Sequence, residues 1–129
     1  MRYLIDTSSI GRAIADDTWR LRRAISNLGI DQIGNSVMTV MEIEYGLARR
    51  RVRHSKIIRD LLRLFSPVTF DEQDAATAGS LRAQMEGSGK PIGLMDTLIA
   101  AQALTRGLTL ITHDTDDFAR VPRLRILEI

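Results

Sequence analysis

Short runs of β-type residues alternate with longer stretches of helical periodicity along this 129-residue chain, and that alternation restricts the fold more than any other feature. Strand patterns fall at 2–5, 32–35, 67–70, 108–112 and 124–127, and helical patterns at 16–28, 38–50, 52–65, 72–86 and 94–106. The punctuation between them agrees. Gly29 and Gly107 follow helical stretches, where a left-handed closing residue is favoured. Thr7-Ser8-Ser9 offers capping chemistry after the first strand, and Asp71 with Asp74 makes a capping box. Pro67 stands at the start of its strand, where a missing donor costs least. "GSGKPIG", residues 87–93, is a loop between elements of one domain spanning 1–129. Parallel strands need crossovers, usually helical, so the pattern predicts a parallel sheet covered by helices on both faces.

Such a sheet binds ligands beyond the carboxyl ends of its strands. Asp6 directly follows the first strand and Asp114 follows the strand at 108–112, so both fall at that edge. Each has a plain structural role available. Asp6 can cap a helix at Thr7, and Asp114 and Asp116 in "THDTDDF" can form a turn. Asp96 in "LMDTLIAAQAL" lies in a first helical turn, where the helix dipole favours an acid. It also shares a face with Ile99, Ala100 and Ala103, and a carboxylate on a buried face needs a partner. The helix "VMTVMEIEYGLARR" carries two acids. Glu44 lies within the apolar arc of Val37, Val40, Met41, Leu47 and Ala48, whereas Glu42 lies with Thr39 and Gly46 on the polar side. Gly46 leaves room beside Glu42 for an ion or a phosphate to approach. Wheel geometry does not choose between the two glutamates.

If several of these carboxylates converge, their repulsion has to be met. Two unit charges about 4 Å apart repel by about 1 kcal/mol in water and about 4 kcal/mol at an effective dielectric of 20. A cation, or raised pKa values, must result. With no cysteine and only His54 and His113, both read as surface residues, the donors are oxygens, which suit Mg2+ with Mn2+ as a substitute. The absence of cysteine also fits a reducing, cytoplasmic setting. No apolar run approaches the roughly 20 residues of a membrane span, and the N-terminus has no secretory signal pattern. Net charge is only +2, but arginines cluster at Arg20, Arg22 and Arg23 and again through Arg49, Arg50, Arg51, Arg53, Arg59 and Arg63. The stretch Arg49, Arg50, Arg51 and Arg53 is the candidate track for a polyanion backbone; its plain alternative is a solvated helix face.

Four segments together resemble the PIN-domain ribonucleases, and within them the VapC-type toxins of bacterial toxin–antitoxin pairs. They are "YLIDTSSI", "EIEYG", "IGLMDTLIAAQAL" and "LTLITHDTDDFARVPRLRIL", in that order and nearly end to end. The resemblance implies a PIN-like three-layer α/β/α fold with a central parallel sheet of four to five strands. It implies a metal-dependent endoribonuclease whose catalytic acids are Asp6, Glu42, Asp96, Asp114 and Asp117, with Asp6, Asp96 and Asp114 as metal ligands. It selects Glu42 over Glu44, because Glu42 stands four residues before Gly46. It also implies a structured RNA substrate of the tRNA or rRNA class, a VapB-type antitoxin and a homodimer. Two positions depart from the family pattern. Ser8 stands where Asn is frequent, and His113-Asp114 stands where a basic residue and Asn are common; Asp114 keeps an oxygen donor.

On this reading the acids orient a water for attack on a phosphodiester, and Thr7 and Thr112 orient the carboxylates. The competing reading is a catalytically silent PIN-like module that works by binding a protein or RNA. A phosphoacceptor receiver domain also gathers acids at strand ends, but the expected Lys after a strand end is missing.

Overall fold

The computed structural model describes residues 1–6, 9–11, 18–49 and 55–129. The strands are β1 (Tyr3–Ile5), β2 (Ile33–Ser36), β3 (Ser66–Val68), β4 (Thr109–Thr112) and β5 (Ile126–Glu128). The helices are α1 (Thr18–Leu28), α2 (Val37–Ala48), α3 (Ser55–Leu62), α4 (Glu72–Gly87), α5 (Leu94–Arg106) and α6 (Thr115–Phe118), with a 3-10 turn at Ile30–Gln32. All five strands join one parallel sheet in the order β3-β2-β1-β4-β5.

Alternation along each central strand builds two cores. Leu4 and Leu110 point to one face and pack with Leu81, Met85, Ile99, Ala100, Ala103 and Phe118 from α4, α5 and α6. Ile5, Ile33 and Ile111 point to the other and pack with Leu21, Ile43 and Leu62 from α1, α2 and α3. The three-layer α/β/α arrangement follows, since each strand offers one side chain to each face. Fully burying one such aliphatic side chain is worth about 1.5–3 kcal/mol. Among the described residues, no helix is long and apolar enough to cross a membrane.

The caps behave as expected. Asp71 and Asp74 form the capping box of α4, with Asp74 N–H donating to Asp71 Oδ1 and Asp71 N–H to Asp74 Oδ2, both at 2.9 Å. Gly107 closes α5 in the left-handed region at φ 62°. Several boundaries differ from the sequence reading. The strand expected at 67–70 is Ser66–Val68, because 69 and 70 run on without a pairing partner. The helix expected at 52–65 ends at Leu62, since 63–65 form a turn; its start, like the expected start at 16 of the first long helix, lies outside the described residues. The acidic stretch after β4, expected as a turn, is the single helical turn α6.

Candidate active site

From β1 the chain adds β2 and β3 on one side, then returns to place β4 on the other. The crevice at such a reversal is where this class of sheet binds ligands. Register sets what meets there. Ile5 pairs with Ile111, and Asp6 N–H donates to Ile111 O at 3.1 Å, so Asp6 and Thr112 leave the sheet side by side.

Thr112 joins two of the expected acids. Its Oγ1 donates to Asp6 Oδ2 and accepts from Asp114 N–H at 2.9 Å. Asp6 is 2% exposed, and Ser9 N–H donates to its Oδ1 at 2.8 Å. Burial pushes the Asp6 carboxyl above its ordinary value, against the pull of Thr112, Ser9 and the nearby His113. Thr7 lies outside the described residues. His113 is partly buried rather than a surface residue, because it follows β4 directly into the crevice; His54 lies outside the described residues.

Asp96, in the first turn of α5, meets Asp114 and Asp117, the latter carried on α6. One carboxylate oxygen from each lies within 4.8 Å of the others, and all three residues are partly buried. Burial raises the Asp96 carboxyl to about 6, helped by the charges of Asp114, Asp6, Asp117 and Glu42. The structure therefore brings the other four expected acids close enough to Asp96 for their charges to act on it. The tight group contains Asp117 where the sequence reading had Asp6 as the third ligand. Asp116 points to solvent.

The wheel reading of α2 misled. Thr39 and Ile43 form its buried face, whereas Val40, Met41 and Tyr45 are exposed. Glu44 accordingly faces away from the crevice and takes Arg59 in a two-pronged pair, at 3.0 Å from Nε and 2.8 Å from Nη2. Glu42 is partly buried on the side toward Asp96. Arg49 is exposed at the end of α2, stacked over Tyr45, and Arg50, Arg51 and Arg53 lie outside the described residues.

Two features of the site escaped the sequence reading. Arg120 Nη1 lies 3.8 Å from Asp117 Oδ1 and donates to Pro91 O at 3.4 Å, so it braces α6 against the loop before α5. Its i,i+3 spacing from Asp117 was a signal only if that stretch were helical. Gln102 is fully buried in α5 and bonded to Ser36. A polar residue inside "IAAQAL", on a helix buried from Ile99 through Ala103, was the available sign.

The fully parallel α/β/α sheet gathers acids at its carboxyl edge, and a PIN-domain family model matches residues 3–124. The chain belongs to the PIN-domain family. It is 27% identical over 128 residues to the tRNA(fMet)-specific endonuclease VapC of Salmonella typhimurium, covering 98% of this chain and 96% of that protein. It is 30% identical over 128 residues to Ribonuclease VapC2 of Haemophilus influenzae, covering 97% and 96%. It superposes on a chain of the DNA-bound VapBC complex of Salmonella typhimurium with a TM-score of 0.89 at 27% identity, covering 99% and 98%. Within the PIN family it is thus a VapC-type ribonuclease toxin.

Proposed function

We propose that the crevice is the hydrolytic centre of a metal-dependent endoribonuclease toxin, with Asp96, Asp114 and Asp117 holding Mg2+ or Mn2+ and Asp6 and Glu42 completing the acidic shell. The observation that carries it is the group of three carboxylates within 4.8 Å, built around an Asp96 raised to about 6. A phosphodiester is itself an anion, so it cannot enter this group unless positive charge sits inside it. The donor set fits a hard divalent ion, being oxygen throughout. When bound, such an ion supplies charge neutralisation at the phosphate and polarisation of the attacking water. The chain's own residues do the rest. Thr112 holds the Asp6 carboxylate and the Asp114 backbone in one orientation. Asp117 is kept in place beside Arg120, and a carboxylate of the surrounding shell takes the proton from water as its oxygen bonds to phosphorus, while the departing ester oxygen takes a proton from solvent.

The relatives support a structured RNA as substrate: the Salmonella protein is named for tRNA(fMet). They support a VapB-type antitoxin as partner, since the Salmonella structure is a VapBC complex. Homodimerisation, a cytoplasmic setting, a single-domain organisation and a backbone-tracking role for Arg49, Arg50, Arg51 and Arg53 complete the proposal.

The test is cleavage of a folded tRNA by purified protein with Mg2+, with Mn2+ and with chelator, alongside Asp96→Asn. Cleavage that needs the ion and is lost in the variant is expected. Equal cleavage by both proteins would rule out the Asp96 centre as its source, and none by wild type with either ion would leave the silent binding module.

A further inference from the structure

Gln102 lies beyond Asp96 on α5, with its side chain wholly out of solvent. A buried primary amide is costly unless its acceptor and donors are used. Here they are. Oε1 accepts from Ser36 Oγ, and Nε2 donates to Val68 O at 3.2 Å and Thr69 O at 3.1 Å. These partners are 66, 34 and 33 residues away in sequence, at the carboxyl ends of β2 and β3. Ser36 extends the link, because the same Oγ accepts from Met38 N–H at 3.0 Å and so caps α2, the helix that carries Glu42. Thr69 O also receives Arg106 Nη2 at 2.9 Å, which anchors the end of α5 to the same carbonyl.

The link matters because of where the two helices pack. Ile99, Ala100 and Ala103 of α5 belong to one core and Ile43 of α2 to the other, and only Met38, at the start of α2, packs against the first core as well. Apolar packing of this kind is non-directional and holds the two helices together without setting their exact separation. A hydrogen bond with fixed geometry sets it.

We propose that Gln102 is a positioning residue that, through Ser36, sets the separation of Asp96 on α5 from Glu42 on α2 and with it the geometry of the acidic centre. This rests on the reading of Asp96 and Glu42 as members of that centre. The pair Gln102 and Ser36 touches neither substrate nor ion; it acts on the helices that do.

Gln102→Met keeps length and bulk while removing the three bonds. Ser36→Ala breaks the link from its other end by deleting one oxygen, and decides the matter if the first variant does not fold. The readouts are the Mn2+ dissociation constant from the free-ion EPR signal, kcat and KM for tRNA cleavage, and the thermal melt. The expected result is Mn2+ binding weakened about tenfold, kcat lowered about tenfold or more and KM within about threefold, in variants folded at the assay temperature. The double variant should lose less than the sum of the two single ones, since both remove the Gln102–Ser36 bond and each loses only its remaining bonds besides. Folded variants whose melt falls while Mn2+ affinity and kcat stay within about twofold of wild type would overturn the proposal. Asp96→Asn separates the two levels. If it binds Mn2+ and cleaves like wild type, the acidic-centre reading fails and the positioning role with it. If it loses both while Gln102→Met and Ser36→Ala keep both, only the positioning role fails.

Discussion

Asp96 bears the strain of the site, because four other carboxylates and partial burial all disfavour its charge. Its carboxyl titrates near 6 against an ordinary 3.8, so the folded chain holds the proton more tightly than the unfolded chain does. The sign follows: above 6 the charge opposes folding, and that penalty is relieved as pH falls from 6 toward 3.8. The metal-free protein should therefore gain melting temperature on moving from pH 7 to pH 5, and Asp96→Asn should reduce that gain, leaving the part that the raised Asp6 carboxyl contributes. A flat wild-type profile over the same range would contradict it. A divalent ion competes with the same proton, so Mn2+ affinity should fall about tenfold per unit below pH 6. Titrations at pH 5, 6, 7 and 8 check this. Losing the ligand should also cost cleavage about 100-fold or more, since such an ion contributes several kcal/mol to the transition state. The sequence exposed Asp96 well, as a charge on an otherwise apolar face.

At the scale of elements, the corner where α4 starts and α5 ends is a polar lock. Asp74 is fully buried, caps α4, and takes Arg106 Nη1 and Thr105 Oγ1, each at 2.5 Å. Burial pushes its carboxyl up, but the bonds from Arg106, Thr105 and the Asp71 backbone outweigh it and hold the group at about 2. Asp74 therefore stabilises the fold above 3.8 and ceases to as pH falls toward 2, opposite in sign to Asp96. Asp74→Ala should cost about 2–3 kcal/mol in urea unfolding, below the roughly 3–5 of a fully enclosed pair, because Arg106 can rehydrate. A loss under about 0.5 kcal/mol would show the lock to be ornamental. Gly107→Ala, forced to φ 62°, should cost about 1 kcal/mol by the same assay. This lock was half legible. The capping box was plain in Asp71 and Asp74, whereas the pairing with Arg106 spans 32 residues and left no local trace. In α2 the wheel pointed the wrong way, since Val40, Met41 and Tyr45 are apolar yet exposed.

Across the whole molecule, one sheet carries two cores, joined through its strands and through α2, whose Met38 packs against one and whose Ile43 lies in the other. Leu110 and Ile111 are neighbours in β4 yet serve opposite cores, and both are fully buried. Replacing either by alanine should cost about 2–5 kcal/mol and shift the same single transition. Far-UV circular dichroism and Trp19 fluorescence should report one midpoint for each variant. Two separated midpoints in Leu110→Ala would mean that the layers fold independently.

The alternation of strand and helix, the capping chemistry and the position of Asp6 and Asp114 just past strand ends were all readable along the chain, because each depends on residues within a turn or two. The parallel sheet follows from that alternation, and the acids at its carboxyl edge follow from the sheet. The strand order, the turn of Glu42 inward and Glu44 outward, the arrival of Asp117 beside Asp96 and the bond from Gln102 to Ser36 were not readable in this way. They depend on which face of a helix finds a neighbour, and that is settled only when segments distant in sequence pack against one another.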